Sequence, residues 1–128
     1  SELQQEIETI SKNKFSFTFT PHLIPMFRGI LTTIYVDLKK GSSIMMLQKT
    51  LNNEYFKKRF VKILKTNSLL STNDVINTNN CYISICKTKY KNRVILLSVI
   101  DNLIKGGAGQ AIQNMNLKYN LPISKGLK

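Results

Sequence analysis

The apolar positions follow two periods. Over Ser1 to about Lys12, Leu3, Ile7 and Ile10 recur at steps of four and three among Glu2, Gln5, Glu6 and Glu8, which predicts a helix with one apolar stripe. From Lys14 to Thr20 the pattern changes to strict alternation. Phe15, Phe17 and Phe19 face one way and Ser16, Thr18 and Thr20 the other, which predicts a half-buried strand. Pro21 and Pro25 bracket His22-Leu23-Ile24, and since neither proline can donate to a ladder, this stretch reads as an edge or a kinked extension. After Arg28-Gly29, a second strand is expected over Ile30 to Leu38, rich in residues that suit a pleated surface. Lys39-Lys40-Gly41 makes a turn. A helix then runs from a cap at Ser42 or Ser43 to about Phe56, its stripe being Ile44, Leu47, Leu51 and Tyr55. Lys57-Lys58-Arg59 closes it where the helix dipole favours positive charge. Phe60 to Leu64 reads as a short strand.

Thr66 to Asn80 is polar and reads as a long loop with a short extended piece at Val75-Ile76. A loop of this length is usually functional or lies along another surface. Cys81 to Lys87 alternates as a strand, Lys89 to Asn92 is a hairpin turn, and Arg93 to Ile100 is apolar on both faces, which places it centrally in the sheet. Asp101-Asn102 then leads into a turn with Gly106, Gly107 and Gly109. In the helix that follows, Ala111, Ile112, Met115 and Tyr119 share a face, and Leu121-Pro122 stops it near Asn120. The glycines let the turn bend sharply, either to pack against the domain or to approach a ligand. Neither GxGxxG nor GxxxxGK[ST] is present, so this is not a phosphate-binding fingerprint. The Lys-Gly-Leu-Lys tail is expected to be loose. The element order predicts an α+β fold: a mixed, largely antiparallel sheet with helices packed on one face.

Composition narrows the class. The 128 residues suit one domain, and a hydrophobic content of 42% excludes a disordered chain. Val94 to Val99, broken by Ser98, is the longest apolar run and is too short to cross a bilayer. The first residues are polar and acidic, unlike a signal peptide, and the lack of an initial Met suggests a piece of a longer protein. A net charge of +12 raises nucleic-acid or membrane binding. The lysines, however, are scattered at the ends of apolar runs, and the Asn and Ile bias can come from base composition, so neither partner is expected. Cys81 and Cys86 are five apart, which in a strand puts them on opposite faces, where they cannot easily bridge. His22 is the sole histidine, so no metal site is expected.

Three stretches together resemble one family. Thr18-Phe19-Thr20-Pro21-His22-Leu23-Ile24-Pro25-Met26-Phe27-Arg28-Gly29-Ile30 looks like a TPHLxPMxRGI signature. Ser71 to Cys81 looks like a loop reading STKxVxGTNxC, and Asp101 to Asn116 looks like DNLxKGAxGQAxQNMN. The family is N-acetyl-gamma-glutamyl-phosphate reductase, related to aspartate-semialdehyde dehydrogenase. The resemblance implies a glyceraldehyde-3-phosphate-dehydrogenase-like C-terminal domain from a cytoplasmic enzyme of arginine biosynthesis, or a plastid stromal one in a plant-type host. It implies reductive dephosphorylation of N-acetyl-glutamyl phosphate. A cysteine forms a thioester, phosphate leaves, and NADPH delivers hydride to give the semialdehyde. It also implies that the cysteine, the base histidine and the NADP fingerprint lie ahead of Ser1, in a segment that includes the enzyme's own N-terminal nucleotide-binding domain. The chain alone is then expected to be inactive, and the whole enzyme homo-oligomeric. Cys81 falls on the family's structural strand cysteine, so neither thiol is expected to be a nucleophile.

Carried over residue by residue, Glu2 matches the acidic residue after the base histidine, as a catalytic-site residue or a solvated first-turn glutamate. Arg28 matches the arginine of the RGI stretch and is suited to gripping a phosphate or carboxylate, against a surface or interface arginine. His22 is a weaker substrate contact, against a structural histidine between prolines. Asn102 matches the position that holds the nicotinamide carboxamide, against a turn asparagine, and Gly106 and Gly107 would let the turn approach NADP. Three departures stand out: Asn73 replaces a lysine, Phe27 replaces a commonly polar position next to Arg28, and Asn77 replaces a glycine and must take that glycine's backbone angle. The competing readings are a small basic nucleic-acid-binding module, with Phe15, Phe17 and Phe19 as a stacking face, and a domain that only dimerises.

Overall fold

The computed structural model describes residues 2–12 and 17–128, and of Glu2 the backbone alone. Helix α1 spans Glu2–Ser11. Strand β1 follows at Ile30–Asp37, helix α2 at Ile44–Tyr55 and strand β2 at Val61–Ile63. A 3-10 turn at Thr72–Asp74 precedes strands β3 (Cys81–Lys87) and β4 (Arg93–Ile100). A π-helical turn at Ile104–Ala108 then runs into helix α3 at Gly109–Lys118. The fold is α+β around a four-stranded sheet of order β1-β4-β3-β2.

The apolar run Arg93 to Ile100 is central, as its two apolar faces require. It pairs antiparallel with β1 on one side and β3 on the other, while β2 joins β3 in parallel. Ser43 caps α2, its side chain accepting from the Met46 amide, and α2 packs against β2 and β3. Gln48 of α2 fastens it further: Nε2 donates to the Leu64 carbonyl at 3.0 Å and Oε1 accepts from the Thr66 hydroxyl at 3.2 Å. Cys81 and Cys86 lie on opposite faces and are free thiols.

The register decides what meets at each end. Ile30 pairs with Ile100, and Ile100 also pairs with Cys81. One end of the sheet therefore gathers the segment before β1, the segment before β3 and the segment after β4. At the other end Asp37 pairs with Arg93, bound side chain to side chain at 2.7 and 2.8 Å in the open.

Four expectations are corrected. Phe17 to Thr20 carry no ladder, and Phe19 is 64% exposed. Alternation alone does not make a strand where no neighbour offers its backbone, and Pro21 and Pro25 bar the continuation. Phe15 and the rest of 13–16 lie outside the described residues. Phe17 and Phe19 thus supply no sheet-face platform for stacked bases. Val75 is not extended; it closes the 3-10 turn, its amide donating to the Thr72 carbonyl, and is fully buried. Helix α3 stops at Lys118 rather than Asn120, because the chain turns at Asn120, whose φ is +55°. The tail is tied down. Asn116, 1% exposed, donates from Nδ2 to the Ile123 and Lys125 carbonyls, and the Asn79 amide donates to the main-chain oxygen of Lys128 at 2.6 Å.

Among the described residues the buried apolar core is small: Phe60, Val75, Ile85, Val94 and Val99. Strand β1 is open on both faces over most of its length.

Candidate functional site

The end of the sheet where three segments meet is organised by a carboxylate. Asp101 follows directly on β4 and is 0% exposed. Its Oδ1 accepts from the amides of Leu103 (2.8 Å) and Ile104 (3.0 Å), which starts the helical turn as a capping aspartate does. Its Oδ2 accepts from the Asn77 amide at 2.8 Å and stands 2.9 Å from Arg28 Nε. The Arg28 contact is ionic rather than an aligned hydrogen bond. The Asp101 carbonyl also accepts from the Gly106 amide at 2.9 Å. Burial alone would push the Asp101 pKa up, but the amides of Asn77, Ile104 and Leu103, with Arg28, outweigh it and hold the carboxyl below the usual range.

Asn102 makes the second tie. Its Oδ1 accepts from the Gly29 amide at 2.8 Å. The side-chain amide is thereby oriented: the oxygen is used, and Nδ2 remains as the presented donor. Gly29 is where glycine is required. Its φ is +109°, and a Cβ there would sit 2.6 Å from the Thr72 side chain. Arg28 is thus held between Asp101 ahead and the Gly29 clamp behind, with 19% of its side chain exposed.

Asn77 adopts φ +62°, the left-handed angle expected of a residue in a glycine's place. Asn73 is exposed, in a turn closed by Ser71 and Asp74: Ser71 Oγ accepts from the Asn73 amide, and Asp74 Oδ2 accepts from the Ser71 amide.

The glycine turn has an inner and an outer side. Gly106 and Gly107 are exposed, and a Cβ on either would meet nothing closer than 3.4 Å. Gly109 is buried, and a Cβ there would come within 2.5 Å of Asn79 Oδ1 and 2.7 Å of the Ile104 carbonyl. Gly109 therefore packs, while Gly106 and Gly107 leave an open surface. Behind the turn, Gln113 Oε1 accepts from Asn79 Nδ2 (2.8 Å) and Lys105 Nζ (2.9 Å). Partial burial lowers the Lys105 pKa, with the nearby Cys81 opposing it. Lys105 points into the body of the domain, over the Phe60 ring at 5.8 Å.

Of the residues singled out from the sequence, Arg28, Asn102 and Gly106 are brought together, with Gly107 on the same turn. His22 is not brought to them; it lies exposed, with Nδ1 3.1 Å from the Thr20 carbonyl. The side chain of Glu2 lies outside the described residues. The sequence does not single out Asp101 as the hub, the tie of the Asn77 amide to it, or the packing role of Gly109. An aspartate between an apolar strand and a glycine turn is a capping signal that could have drawn attention to Asp101. Two shallow hollows lie at the opposite end of the sheet, one against Asp37 and Ser43 and one against Lys87 and Arg93. Three of their polar side chains are spent on the fold: Asp37 and Arg93 on each other, and Ser43 on the cap of α2. Among the described residues no cluster of His, Cys, Asp and Glu could hold a metal ion, and no helix is long and apolar enough to cross a membrane.

Curated relatives align along the whole chain. It is 46% identical to N-acetyl-gamma-glutamyl-phosphate reductase of Halothermothrix orenii over 129 residues, covering 100% of this chain and 37% of the relative. It is 47% identical to the reductase of the same name from Vesicomyosocius okutanii, covering 99% of this chain and 36% of that protein. It is 38% identical to the probable chloroplastic N-acetyl-gamma-glutamyl-phosphate reductase of Arabidopsis thaliana, covering 98% and 31%. The chain spans about a third of the length of these relatives. The family model described as semialdehyde dehydrogenase, dimerisation domain, matches residues 1–102. With this match and the α+β sheet above, the chain belongs to the semialdehyde dehydrogenase dimerisation-domain family.

Proposed function

We propose that this chain is the C-terminal domain of an NADP-dependent N-acetyl-gamma-glutamyl-phosphate reductase, working in arginine biosynthesis, and that it forms the substrate- and nicotinamide-facing wall of the site. One observation carries this reading: the Asp101-Asn102 dipeptide ties down both Arg28, through the Asp101 carboxylate, and Gly29, 73 residues from Asn102, through the Asn102 side chain, so Arg28 and Asn102 belong to one corner. A guanidinium is a bidentate partner for phosphate or carboxylate oxygens, and a primary amide with its oxygen already used is a donor to a carbonyl.

These residues suit NADP. Asn102 Nδ2 has no partner among the described residues, and the exposed backbone of Gly106 and Gly107 leaves room for a flat ring to approach. NADPH supplies hydride when bound. What this chain supplies is binding and orientation: Arg28 grips an anionic group of N-acetyl-glutamyl phosphate, Asn102 donates to the carboxamide oxygen, and Asp101 keeps both in register. Held this way, the substrate would be oriented for attack by the nucleophile, and Arg28 would offset the charge that builds on the phosphate as it departs. Glu2 and His22 remain outer candidates, one to orient the base and one to touch substrate. The nucleophile, the base and the nucleotide-binding domain belong to a preceding segment in this reading, so the 128 residues alone turn over no substrate. The working enzyme is a homo-oligomer of the cytoplasm, or of the plastid stroma in a plant-type host.

The test is NADPH-dependent reduction of N-acetyl-glutamyl phosphate by the whole protein that carries this chain. Turnover that falls at least tenfold in kcat/KM on Arg28→Ala or Asn102→Ala, about 1.4 kcal/mol each, supports the reading. A whole protein that binds neither NADPH nor the acyl phosphate ends it.

A further inference from the structure

Arg28 sits at the end of an arm with little to hold it. Ahead of it, the hydrogen bonds between residues 17 and 27 are local, such as the Met26 amide to the Ile24 carbonyl and His22 to the Thr20 carbonyl. Large apolar side chains there stand in the open, including Leu23 and Phe27. An arginine on such an arm has rotamer freedom to lose before it can grip anything in a fixed direction. Two groups remove that freedom, and both come from the same dipeptide. Asn102 clamps the next residue through the Gly29 amide, and Asp101 takes Nε.

Asp101 is suited to this because it cannot move. It is fully buried, and three main-chain amides at 2.8 to 3.0 Å hold its oxygens. Those amides come from two segments, the loop before β3 and the turn after β4. The carboxylate is therefore a fixed charge that holds the guanidinium by an ionic contact on its Nε side, at 2.9 Å. The terminal nitrogens, the edge that takes an oxyanion bidentately, are left to the outside. The three amides also disperse the negative charge of Asp101, so the corner keeps a positive character for an anion.

We infer that Asp101 is a positioning residue for substrate: it sets the direction in which Arg28 offers its guanidinium to the anionic group of the ligand. This rests on the proposed reductase reading, in which Arg28 touches substrate. Asp101 itself touches no ligand.

The sign of one substitution separates this from simple electrostatics. Asp101→Asn makes the corner more positive by one charge and is nearly isosteric. If charge alone governed, anions would bind more tightly. If position governs, they bind more weakly, because the new Nδ2 opposes the Nε–H or the Asn77 amide. The experiment uses the whole protein and reads KM for N-acetyl-glutamyl phosphate, kcat, and the dissociation constant of inorganic phosphate by calorimetry. Expected in Asp101→Asn is a rise of roughly tenfold in both KM and the phosphate constant, with kcat changed much less. In the Arg28→Ala background the same change should add nothing further, since its route is gone. A KM that is unchanged or lower, or an effect that multiplies undiminished onto Arg28→Ala, overturns the inference.

Should Asp101→Asn not fold, Arg28→Lys decides. A lysine keeps the charge but has no Nε to be held, so it should lose nearly all that Arg28→Ala loses. A near-native KM in Arg28→Lys would overturn the inference. Wild-type KM and phosphate binding in Arg28→Ala would bring down the substrate role of Arg28, and this inference with it. An effect of Arg28→Ala without coupling to Asp101 would bring down this inference alone.

Discussion

Asn77 sits at φ +62°, and its amide is committed to the buried Asp101. Asparagine tolerates that angle through its short polar side chain, and glycine tolerates it freely. Asn77→Gly should therefore be close to neutral and Asn77→Ala should cost about 1–2 kcal/mol, read from urea unfolding midpoints. Gly109 and Gly106 make a similar contrast. A methyl at 109 meets Asn79, the Ile104 side chain and a main-chain carbonyl, so Gly109→Ala should cost about 1–3 kcal/mol, whereas Gly106→Ala should leave stability within about 0.5 kcal/mol. Asp101 predicts the acid limb. Its pKa is lower folded than unfolded, so its contribution is whole at neutral pH and is lost as pH falls through about 4 and on towards the folded value. The Asp101→Asn protein should be less stable at pH 7 and should show a flatter decline in Tm below pH 5 than the native chain. None of these roles except the angle of Asn77 was legible in the sequence. The partners of Asp101 and Asn102 lie 24 and 73 residues away, and no local pattern encodes an acceptor for a distant amide.

At the scale of elements, helix α2, strands β2, β3 and β4, and the centrality of β4 were legible, because each has a strong period and clear stop signals. The cap at Ser43 was as well. Ser43→Ala should cost about 1 kcal/mol, measured by thermal unfolding, because the Met46 amide loses its acceptor. The alternation misled over Phe17 to Thr20 for a physical reason: a strand exists only where a neighbour completes its ladder, and alternation records one face, not the presence of a partner. The tail misled in the opposite direction. Asn116 appears in the sequence as a polar residue on a helix, yet it is buried and binds two carbonyls beyond the helix end. Asn116→Ala should free residues 121–128, seen as faster hydrogen exchange at the Leu127 amide while the β4 amides keep their protection.

At the scale of the molecule, the buried apolar core among the described residues is small for the chain's apolar content. Leu31 and Tyr35, 45% and 70% exposed, share one face of an edge strand. An exposed, apolar edge strand is a pairing surface, and the chain belongs to a dimerisation-domain family. The chain should self-associate at micromolar concentration in sedimentation equilibrium. Leu31→Lys with Tyr35→Lys should shift it towards monomer with the far-UV circular dichroism unchanged.

The sequence by itself determined the α+β class, the order of most elements, the placement of the two thiols on opposite faces of one strand and, through three long motifs, the family. Periodicity and stop signals are local, and motifs are read residue by residue. Tertiary structure alone decided which ends of the strands meet, that Asp101 rather than Asn102 is the hub, that Gly109 packs while Gly106 and Gly107 stay open, and that His22 stands apart. Those outcomes depend on register and burial, which arise only when Ile30, Cys81 and Ile100 line up across the sheet and bring three distant segments to one buried carboxylate.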